Sequence, residues 1–589
     1  MLLTAIKLKV AALAVVAGID TGDLVNPSKE IDSVIKTLET AQTAYQKNPQ
    51  DAKLGGDLNA AFNTAVQEAE KLAQKDDPNA AYALAHWGIL AGGNNVNVNS
   101  IVALYRKAGK IPAAQIELAQ VLLQAFKQDA DKAKEAVQLI IDAEAAGNKL
   151  ARRTKAQLHL SGAAAPTIPA SIKDAVTLLE KGSADNDGDS SVGLYQIYSR
   201  GAEGYPQDHA KALEYLKLAA EKQGNATALG EYGARLLNGD PDTKDSPKLV
   251  KKDVAQAIKM FEDAAKGGLA AASRILGQLY ENGFGENGAD VKRDVKKAFE
   301  NYQAAARGND AAALLRLAQA FETGVLANPD AKPDEKTGGY KAEDVLIAQN
   351  PKGALDLYRL AAQNKAAEAF FAVGAFYESG TVVDRDPQKA FALYIQAANA
   401  GVAAAMNRLA GLYANGTGVT QDIIAAAGWY KRSADAPFNF AASKIAFGMM
   451  AEQGAGMERS PVVAERYYSE AAAQGAPLAL VRLATLHLNG TEPGAKPNLA
   501  LALAYAQLAL DKTGGNSEEV KNFVNTLETA KDKDGKEIFT AEIKKQAVAE
   551  LEKLKKTYAP AAPAAATPAA AAPATAPAKS EGKKKSGTK

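Results

Sequence analysis

The chain has 589 residues, several times the usual length of one domain, so a single compact core is excluded. Lysine and arginine (69) balance aspartate and glutamate (68), so no net field attracts nucleic acid or an acidic surface. The absence of cysteine excludes disulfides and thiolate chemistry, while abundant alanine with only 6% aromatic residues favours closely packed helices.

Residues 1–17, MLLTAIKLKVAALAVVA, place two lysines before an apolar run that ends in small residues suited to signal-peptidase cleavage. We interpret this segment as a signal peptide and predict an exported, periplasmic or secreted protein. The alternative is an ordinary amphipathic first helix in a cytoplasmic protein. No other window has 18 uncharged apolar residues, so we expect no transmembrane anchor.

Residues 25–155 are alanine-rich and have helical periodicity, but they match the repeat described below only poorly. The stretches at 84–92 and 117–125 read as degenerate first helices of such a repeat. Terminal units of repeat arrays are often atypical, so we predict divergent N-terminal helical repeats here.

From residue 156 to 512 the chain repeats an eight-residue block that ends in glycine, as in LGQLYENG, VGAFYESG and LAGLYANG. The terminal glycines are between 36 residues apart (Gly380 to Gly416) and 56 residues apart (Gly324 to Gly380). Such a period is typical of a solenoid. The full series is Gly162, Gly201, Gly239, Gly283, Gly324, Gly380, Gly416, Gly454 and Gly490.

A second block follows each first one, as in RDPQKAFALYIQAANAG, where Ala390 and Tyr394 share one helical face with two later alanines. Asp386-Pro387 and Ser460-Pro461 each read as an N-cap followed by proline at the first helical position. Each unit is therefore predicted to be a helical hairpin.

Within the first block, a small residue, an aromatic residue and the final glycine keep fixed places. Glycine inside a helix costs about 1 kcal/mol relative to alanine, so its return at one place indicates a helix that passes very close. We predict that all three are structural repeat positions. They are Gly277, Tyr280, Gly283, Gly374, Tyr377, Gly380, Ala410, Tyr413, Gly416, Gly448, Gly454 and Gly490.

The pattern L-[GA]-x-x-[YF]-x-x-G, a loop, then A-x-x-x-Y-x-x-A-A resembles the Sel1-like repeat, a relative of the tetratricopeptide repeat. The resemblance implies an all-α fold, an α/α superhelical solenoid of helical hairpins that binds partner proteins. Cysteine-rich secreted members of the family carry a disulfide in each repeat, whereas this chain has no cysteine. Bacterial envelope scaffolds of this repeat class are the closer comparison.

The long steps in the repeat come from extra residues between the two helices of a unit, at 241–253, 284–294 and 328–352. Insertions at one place in the repeat should emerge along one edge of the array, which makes that edge a candidate recognition surface. The alternative is that they are tolerated loops without a role.

The region 513–557 is predicted to form charged helices that cap the last hairpin, with Ile543, Val548, Leu551 and Leu554 as the apolar stripe of the second. Residues 558–589 are rich in alanine, proline and lysine and cannot bury a core, so we predict a disordered tail. Its lysines could make a weak contact with an anionic polymer or membrane surface, with a solvated tail as the alternative.

The sequence contains only weak matches to motifs for nucleotide binding, metal binding or catalysis. GFGENG at 283–288 follows a predicted helix rather than a strand, and DNDGD at 185–189 lacks the later ligands of a calcium loop. His159 and His487 occupy the aromatic position of the repeat, while His86 and His209 stand alone. We therefore expect no catalytic residue, no cofactor and no bound metal.

Trp429 directly precedes an aromatic repeat position, Tyr430, and is the candidate contact for a partner, with packing inside the array as the alternative. The sequence thus predicts a non-enzymatic scaffold or adaptor that binds one or more unidentified proteins in the bacterial cell envelope. The alternative function is an envelope polymer-binding protein or hydrolase whose site converges from several repeats.

Overall fold

A computed structural model describes residues 24–47, 51–92, 97–126, 129–164, 167–240, 249–285, 288–327, 331–333, 340–490 and 495–559. The described part is helical, with 26 helices and one pair of short strands. The predicted signal peptide (1–17) and all but the first two residues of the predicted tail (558–589) lie outside these residues.

Residues 1–310 form one compact unit, in which fourteen described helices pack as seven consecutive hairpins. In each hairpin the first helix has an odd number and the second an even number. The helices are α1 (Lys29–Lys47), α2 (Ala52–Gln74), α3 (Pro78–Gly92), α4 (Val98–Ala108), α5 (Pro112–Ala125), α6 (Ala130–Ala145), α7 (Lys149–Ser161), α8 (Ile172–Ala184), α9 (Gly188–Arg200), α10 (His209–Lys217, continued by a π-helical turn at Leu218–Lys222), α11 (Ala226–Asn238), α12 (Val254–Lys266), α13 (Ala270–Asn282) and α14 (Val295–Arg307).

Residues 311–589 form the second unit, whose described part has five further hairpins, two final helices and a two-stranded antiparallel sheet. The elements are α15 (Ala311–Thr323), β1 (Val325–Leu326), β2 (Val345–Ile347), α16 (Pro351–Gln363), α17 (Ala367–Ser379), α18 (Pro387–Asn399), α19 (Ala403–Asn415), α20 (Ile423–Ala434), α21 (Ala441–Gln453), α22 (Pro461–Ala473), α23 (Pro477–Asn489), α24 (Leu499–Lys512), α25 (Glu518–Thr529) and α26 (Ala541–Thr557).

The second helices begin at a polar N-cap that also closes the hairpin. The Asp386 carboxylate accepts the backbone N–H of Lys389 at 3.0 Å, and the Asp386 backbone N–H donates to the Tyr377 carbonyl at 2.9 Å. The same two bonds recur at Asp422, which accepts from Ala425 and donates to the Tyr413 carbonyl. One residue thus starts the second helix and ties it to the end of the first. The predicted caps at Asp386 and Ser460 are confirmed.

The first helices from α7 to α23 end at glycine, because the chain leaves each of them with a positive φ. Gly380, Gly416 and Gly454 adopt the left-handed conformation, which costs other residues energy. A second glycine follows two residues later in the turns at Gly418 and Gly456. A Cβ at Gly418 would overlap the carbonyl of Pro387, at the start of the preceding second helix. These turns therefore also set the spacing between neighbouring hairpins.

The end of the array in the second unit is covered by α25 and α26, both of which pack on α24. The apolar stripe predicted for α26 is partly wrong, since Val548 is 57% exposed and Ala547 is buried beside Leu554. The reason is that the contact face of α26 is centred one residue earlier than the large side chains suggest, and a small alanine fits against α24.

Candidate interaction surfaces

A hydrogen bond between tyrosine and glutamate recurs inside four hairpins. In α17–α18 the Tyr394 hydroxyl donates to Glu378 at 2.6 Å, and burial together with this carboxylate raises the pKa of Tyr394 above its usual range. The carboxylates are therefore used as internal acceptors rather than offered to a ligand. The other pairs are Tyr302 with Glu281 (2.7 Å), Tyr358 with Glu322 (2.8 Å) and Tyr468 with Glu452 (2.8 Å).

The glycines in the middle of the first helices lie against these tyrosine rings. A Cβ at Gly374 would stand 2.8 Å from Cε1 of Tyr394, which is closer than Cβ atoms approach a ring. The helix that passes close to this position is thus the second helix of the same hairpin. The corresponding distances are 2.7 Å from Gly277 to Tyr302 and 2.6 Å from Gly448 to Tyr468, and Ala410 holds the position, fully buried, in α19.

The aromatic residues near the ends of the first helices lie beside the starts of the second helices. Because these rings sit where the N-cap joins the two helices, they are half-buried and contact long side chains. Lys297 Nζ lies 5.3 Å from the ring centre of Tyr280, Lys389 Nζ lies 5.4 Å from that of Tyr377, and Tyr413 meets Phe391 edge to face at 5.2 Å. The glycines that end these first helices, Gly283, Gly380, Gly416, Gly454 and Gly490, all have positive φ.

Trp429 is half-buried and contributes to the apolar core formed by α18 and α19. The Arg432 guanidinium lies 5.2 Å from the centre of its ring, and this contact leaves only part of the indole facing solvent. On the same helix Ile424 is 74% exposed. Trp429 therefore packs within the array, and a role in partner binding rests on its remaining exposed part.

Two of the predicted insertions contact each other in the first unit. Lys252, from the insertion that precedes α12, places its ammonium 2.6 Å from Asp290 and 5.1 Å from the ring centre of Phe284. Both partners belong to the insertion that precedes α14, which is closed by a backbone bridge between Phe284 and Val291. In the second unit the insertion before α16 contains β2, which pairs with β1 at the end of the preceding turn, just before the insertion begins. The sequence did not indicate these strands, because they are two or three residues long.

A partly buried polar cluster in the N-terminal hairpins was not indicated by any sequence motif. The Glu117 carboxylate accepts hydrogen bonds from Tyr82 (3.0 Å) and Tyr105 (2.6 Å), and His86 Nδ1 lies 3.0 Å from both its oxygens. Burial alone would raise the pKa of Glu117, but the bonds from His86 and the tyrosines outweigh it and lower the pKa. His86, which stands alone in the sequence, is therefore part of a group that joins α3, α4 and α5.

The acidic run at 185–189 pairs with two arginines. Arg152 lies 2.7 Å from Asp185, while Arg153 lies 2.5 Å from Asp187 and 3.2 Å from Asp189. The carboxylates thus join α7 to the start of α9 instead of converging on a cation. Within the residues that the structure describes, no group of three or more histidine, aspartate or glutamate side chains is placed to hold a metal ion.

No helix among the described residues is long and apolar enough to cross a membrane.

The hairpins that carry the recurring contacts can be compared with known proteins. The model of the Sel1 repeat family matches eight segments, at residues 191–223, 228–269, 270–310, 344–365, 367–402, 403–438, 440–475 and 477–513. Seven of them cover a first and a second helix, whereas 344–365 covers only α16, because the insertion separates α15 from it. The match begins at 191, so the earlier hairpins are outside it.

Among solved structures, c5321 is described as a protective antigen present in uropathogenic Escherichia coli strains and displaying an SLR fold. It is 19% identical, with a TM-score of 0.53 over 84% of this chain and 95% of its own. A Sel1 repeat protein from Oxalobacter formigenes is 24% identical, with a TM-score of 0.37 over 49% of this chain and 96% of its own. No curated protein sequence matches the chain. The fold is a helical solenoid, and with eight repeats between residues 191 and 513 the chain belongs to the Sel1 repeat family.

Proposed function

We propose that this protein is a non-enzymatic scaffold that binds other proteins along the edge where the turns between first and second helices emerge, here called the turn edge. The observation that carries this proposal is the contact between the insertions before α12 and α14 through Lys252 and Asp290. Loops that touch their neighbours form a continuous surface, and such a surface suits a protein partner.

The inside of the hairpins supports the same function. The polar side chains that recur from repeat to repeat, such as Glu378 and Asp386, are used to hold the two helices together. The turn edge, by contrast, differs in length and composition from one hairpin to the next. A fixed frame with a variable edge allows binding to change while the fold stays the same.

The experiment replaces the insertion before α14. Residues 284–293 are exchanged for Thr-Gly-Val-Thr-Gln, the short turn that this chain uses between Gly416 and Asp422. Cross-linking and affinity purification from the source cells then identify bound proteins. We expect the exchange to lose at least one partner that the wild-type protein retains in stoichiometric amount.

The matched control exchanges residues 381–385, already a short turn between Gly380 and Asp386, for the same five residues. This variant should keep every partner. If neither variant differs from wild type in bound proteins, the turn edge is not the binding surface. Retention on peptidoglycan or polysaccharide without any protein partner would instead favour the polymer-binding alternative.

We further propose that the protein acts in the bacterial cell envelope, after export directed by residues 1–17, on the basis of the lysines and small residues of that segment. N-terminal sequencing of the protein purified from fractionated cells tests this. A mature chain that starts near Gly18 in the envelope fraction is expected, whereas an intact Met1 in the cytoplasm would refute export.

A further inference from the structure

Asparagine is followed by glycine at five places in the chain, and at four of them the structure describes both residues. In each of these four pairs the asparagine is exposed and is the last residue of a first helix, and the glycine has a positive φ. The pairs therefore share their sequence, their place in the repeat and their access to water. They are Asn238–Gly239 in α11, Asn282–Gly283 in α13, Asn415–Gly416 in α19 and Asn489–Gly490 in α23.

Asparagine before glycine is chemically labile, because glycine has no side chain to hinder its backbone nitrogen. Once this nitrogen has lost its proton to a base in solution, it attacks Cγ of the asparagine and expels the side-chain nitrogen as ammonia. Water then opens the cyclic succinimide at either carbonyl and leaves aspartate or isoaspartate. The reaction therefore requires a glycine N–H that can lose its proton and an asparagine side chain that can turn towards it.

The glycine N–H is held by a hydrogen bond in two of the four pairs. The Gly239 N–H donates to the carbonyl four residues earlier at 2.8 Å, and Gly416 makes the same bond. Within the described residues, no acceptor takes the N–H of Gly283 or of Gly490. Attack by Gly239 or Gly416 must therefore first break a hydrogen bond, whereas attack by the other two glycines need not.

The asparagine side chain is also held in two pairs, but not in the same two. The side-chain amides of Asn238 and Asn282 each donate to the carbonyl four residues earlier, at 3.3 and 3.1 Å, which draws them back along the helix. The side chains of Asn415 and Asn489 form no hydrogen bond within the part of the chain that the structure describes. Of the four pairs, only Asn489–Gly490 therefore has both reacting groups free.

We propose that Asn489 is a site of spontaneous deamidation, through attack of the Gly490 nitrogen on Cγ of Asn489. Asn238, whose pair has both groups held, is the most resistant of the four asparagines. The product places a carboxylate at the C-terminus of α23, where the helix dipole disfavours a negative charge. The turn edge thus acquires negative charge as the protein ages, whether or not that edge binds a partner.

The test incubates the whole folded protein at mildly alkaline pH in water labelled with heavy oxygen, and then digests it in ordinary water. Mass spectrometry of the peptides identifies deamidation of the folded protein, because the new carboxylate carries oxygen from the labelled water. Asn415 and Asn489 are the matched pair, since both stand in the sequence Asn-Gly-Thr. Breaking one backbone hydrogen bond corresponds to about a fivefold change in rate, so Asn489 should react about five times as fast as Asn415.

The same incubation in urea is the control. Unfolding removes the hydrogen bonds of all four pairs, so Asn415 and Asn489 should then react at equal rates. Equal rates at these two asparagines in the folded protein would overturn the proposal. A faster reaction at Asn415, or the same ratio of rates with and without urea, would do so as well.

Asn238 and Asn282 provide an independent comparison, because both side chains are held and only the glycine after Asn282 has a free N–H. Each rate in the folded protein is divided by the rate in urea, which removes the effect of the residue that follows the glycine. The resulting value should be about fivefold higher for Asn282 than for Asn238. An equal or higher value for Asn238 would mean that the glycine hydrogen bond does not control the reaction, and the proposal would be wrong.

Discussion

At the scale of single residues, the tyrosine of the second helix connects two otherwise separate features of the repeat. Its ring takes the space left by a glycine such as Gly374, and its hydroxyl reaches Glu378 at the end of the same first helix. The hydrogen bond does not require the glycine, since α15 has Ala318 at this position and Tyr358 still donates to Glu322 at 2.8 Å. Substitutions can separate the two contributions.

Replacing Tyr394 with phenylalanine keeps the ring and removes the donor to Glu378. A hydrogen bond to a charged group contributes about 1.5 kcal/mol, so the free energy of unfolding should fall by about that amount. Because the pKa of Tyr394 is raised in the folded protein, the bond is complete below the ordinary tyrosine pKa of about 10 and is lost only as the pH rises further. The difference between variant and wild type, measured by chemical denaturation, should stay constant between about pH 6 and pH 9.

Tyr430 offers the control, because its hairpin has Ala414 where the others have glutamate. Its pKa is raised by burial, but no carboxylate accepts from it among the bonds of the described residues. Tyr430→Phe should therefore change the free energy of unfolding by much less than Tyr394→Phe. Equal losses in both variants would show that the glutamate contributes nothing.

Gly374→Ala tests the space beside the ring. Alanine gains about 1 kcal/mol of helix propensity, but its Cβ would lie 2.8 Å from a fully buried ring, and overpacking costs about 1 to 3 kcal/mol. We expect a net loss of stability in thermal unfolding. Gly411→Ala is the matched control, since its Cβ would meet the Tyr430 hydroxyl at 3.5 Å, an ordinary contact, and should stabilise the protein. A gain in both variants would contradict the close approach.

At the scale of the element, the hairpin is defined by its two ends, and these were visible in the sequence. Gly380 and Asp386 mark where α17 stops and α18 starts, because left-handed glycines and N-caps are local requirements of the backbone. Glu378 was not identified, although glutamate recurs two residues before the glycine, because its partner lies on the second helix. The cluster around Glu117 gave no signal at all, since its four residues come from three helices and follow no repeat.

Asp422→Ala should weaken the hairpin of α19 and α20 at its junction. The aspartate side chain accepts the N–H of Ala425 at 2.9 Å, and its loss typically costs about 1 kcal/mol. The backbone bond from residue 422 to the Tyr413 carbonyl remains possible in the variant, so only the cap is removed. Hydrogen exchange should become faster in the first turn of α20. Asp422→Asn keeps the side-chain oxygen that accepts this bond, so the first turn of α20 should exchange as slowly as in the wild type. Faster exchange in Asp422→Asn as well would mean that the negative charge of Asp422, rather than the cap hydrogen bond, stabilises this turn.

At the scale of the whole molecule, each of the two units is built from contacts between neighbouring helices, as is usual in a repeat array. The free energy of unfolding should then depend on the packing between neighbouring hairpins as well as on the contacts between the two helices of each hairpin. The turns that contain Gly418 and Gly456 make such contacts, because each lies against the first residue of the preceding second helix, Pro387 or Ile423. The sequence showed these glycines only as turn residues, and the backbone that each one approaches lies about one repeat away.

Gly418→Ala should break the contact between the hairpins α17–α18 and α19–α20. Alanine at φ +73° costs about 1 kcal/mol in any turn, and its Cβ would also overlap the Pro387 carbonyl, so the two hairpins must separate. Gly475→Ala has the same backbone cost, at φ +84°, but its Cβ would meet nothing within 4 Å. Hydrogen exchange should therefore accelerate across α17–α20 for Gly418→Ala, with a larger loss of stability than for Gly475→Ala. Indistinguishable exchange in the two variants would mean that the turn does not hold neighbouring hairpins together.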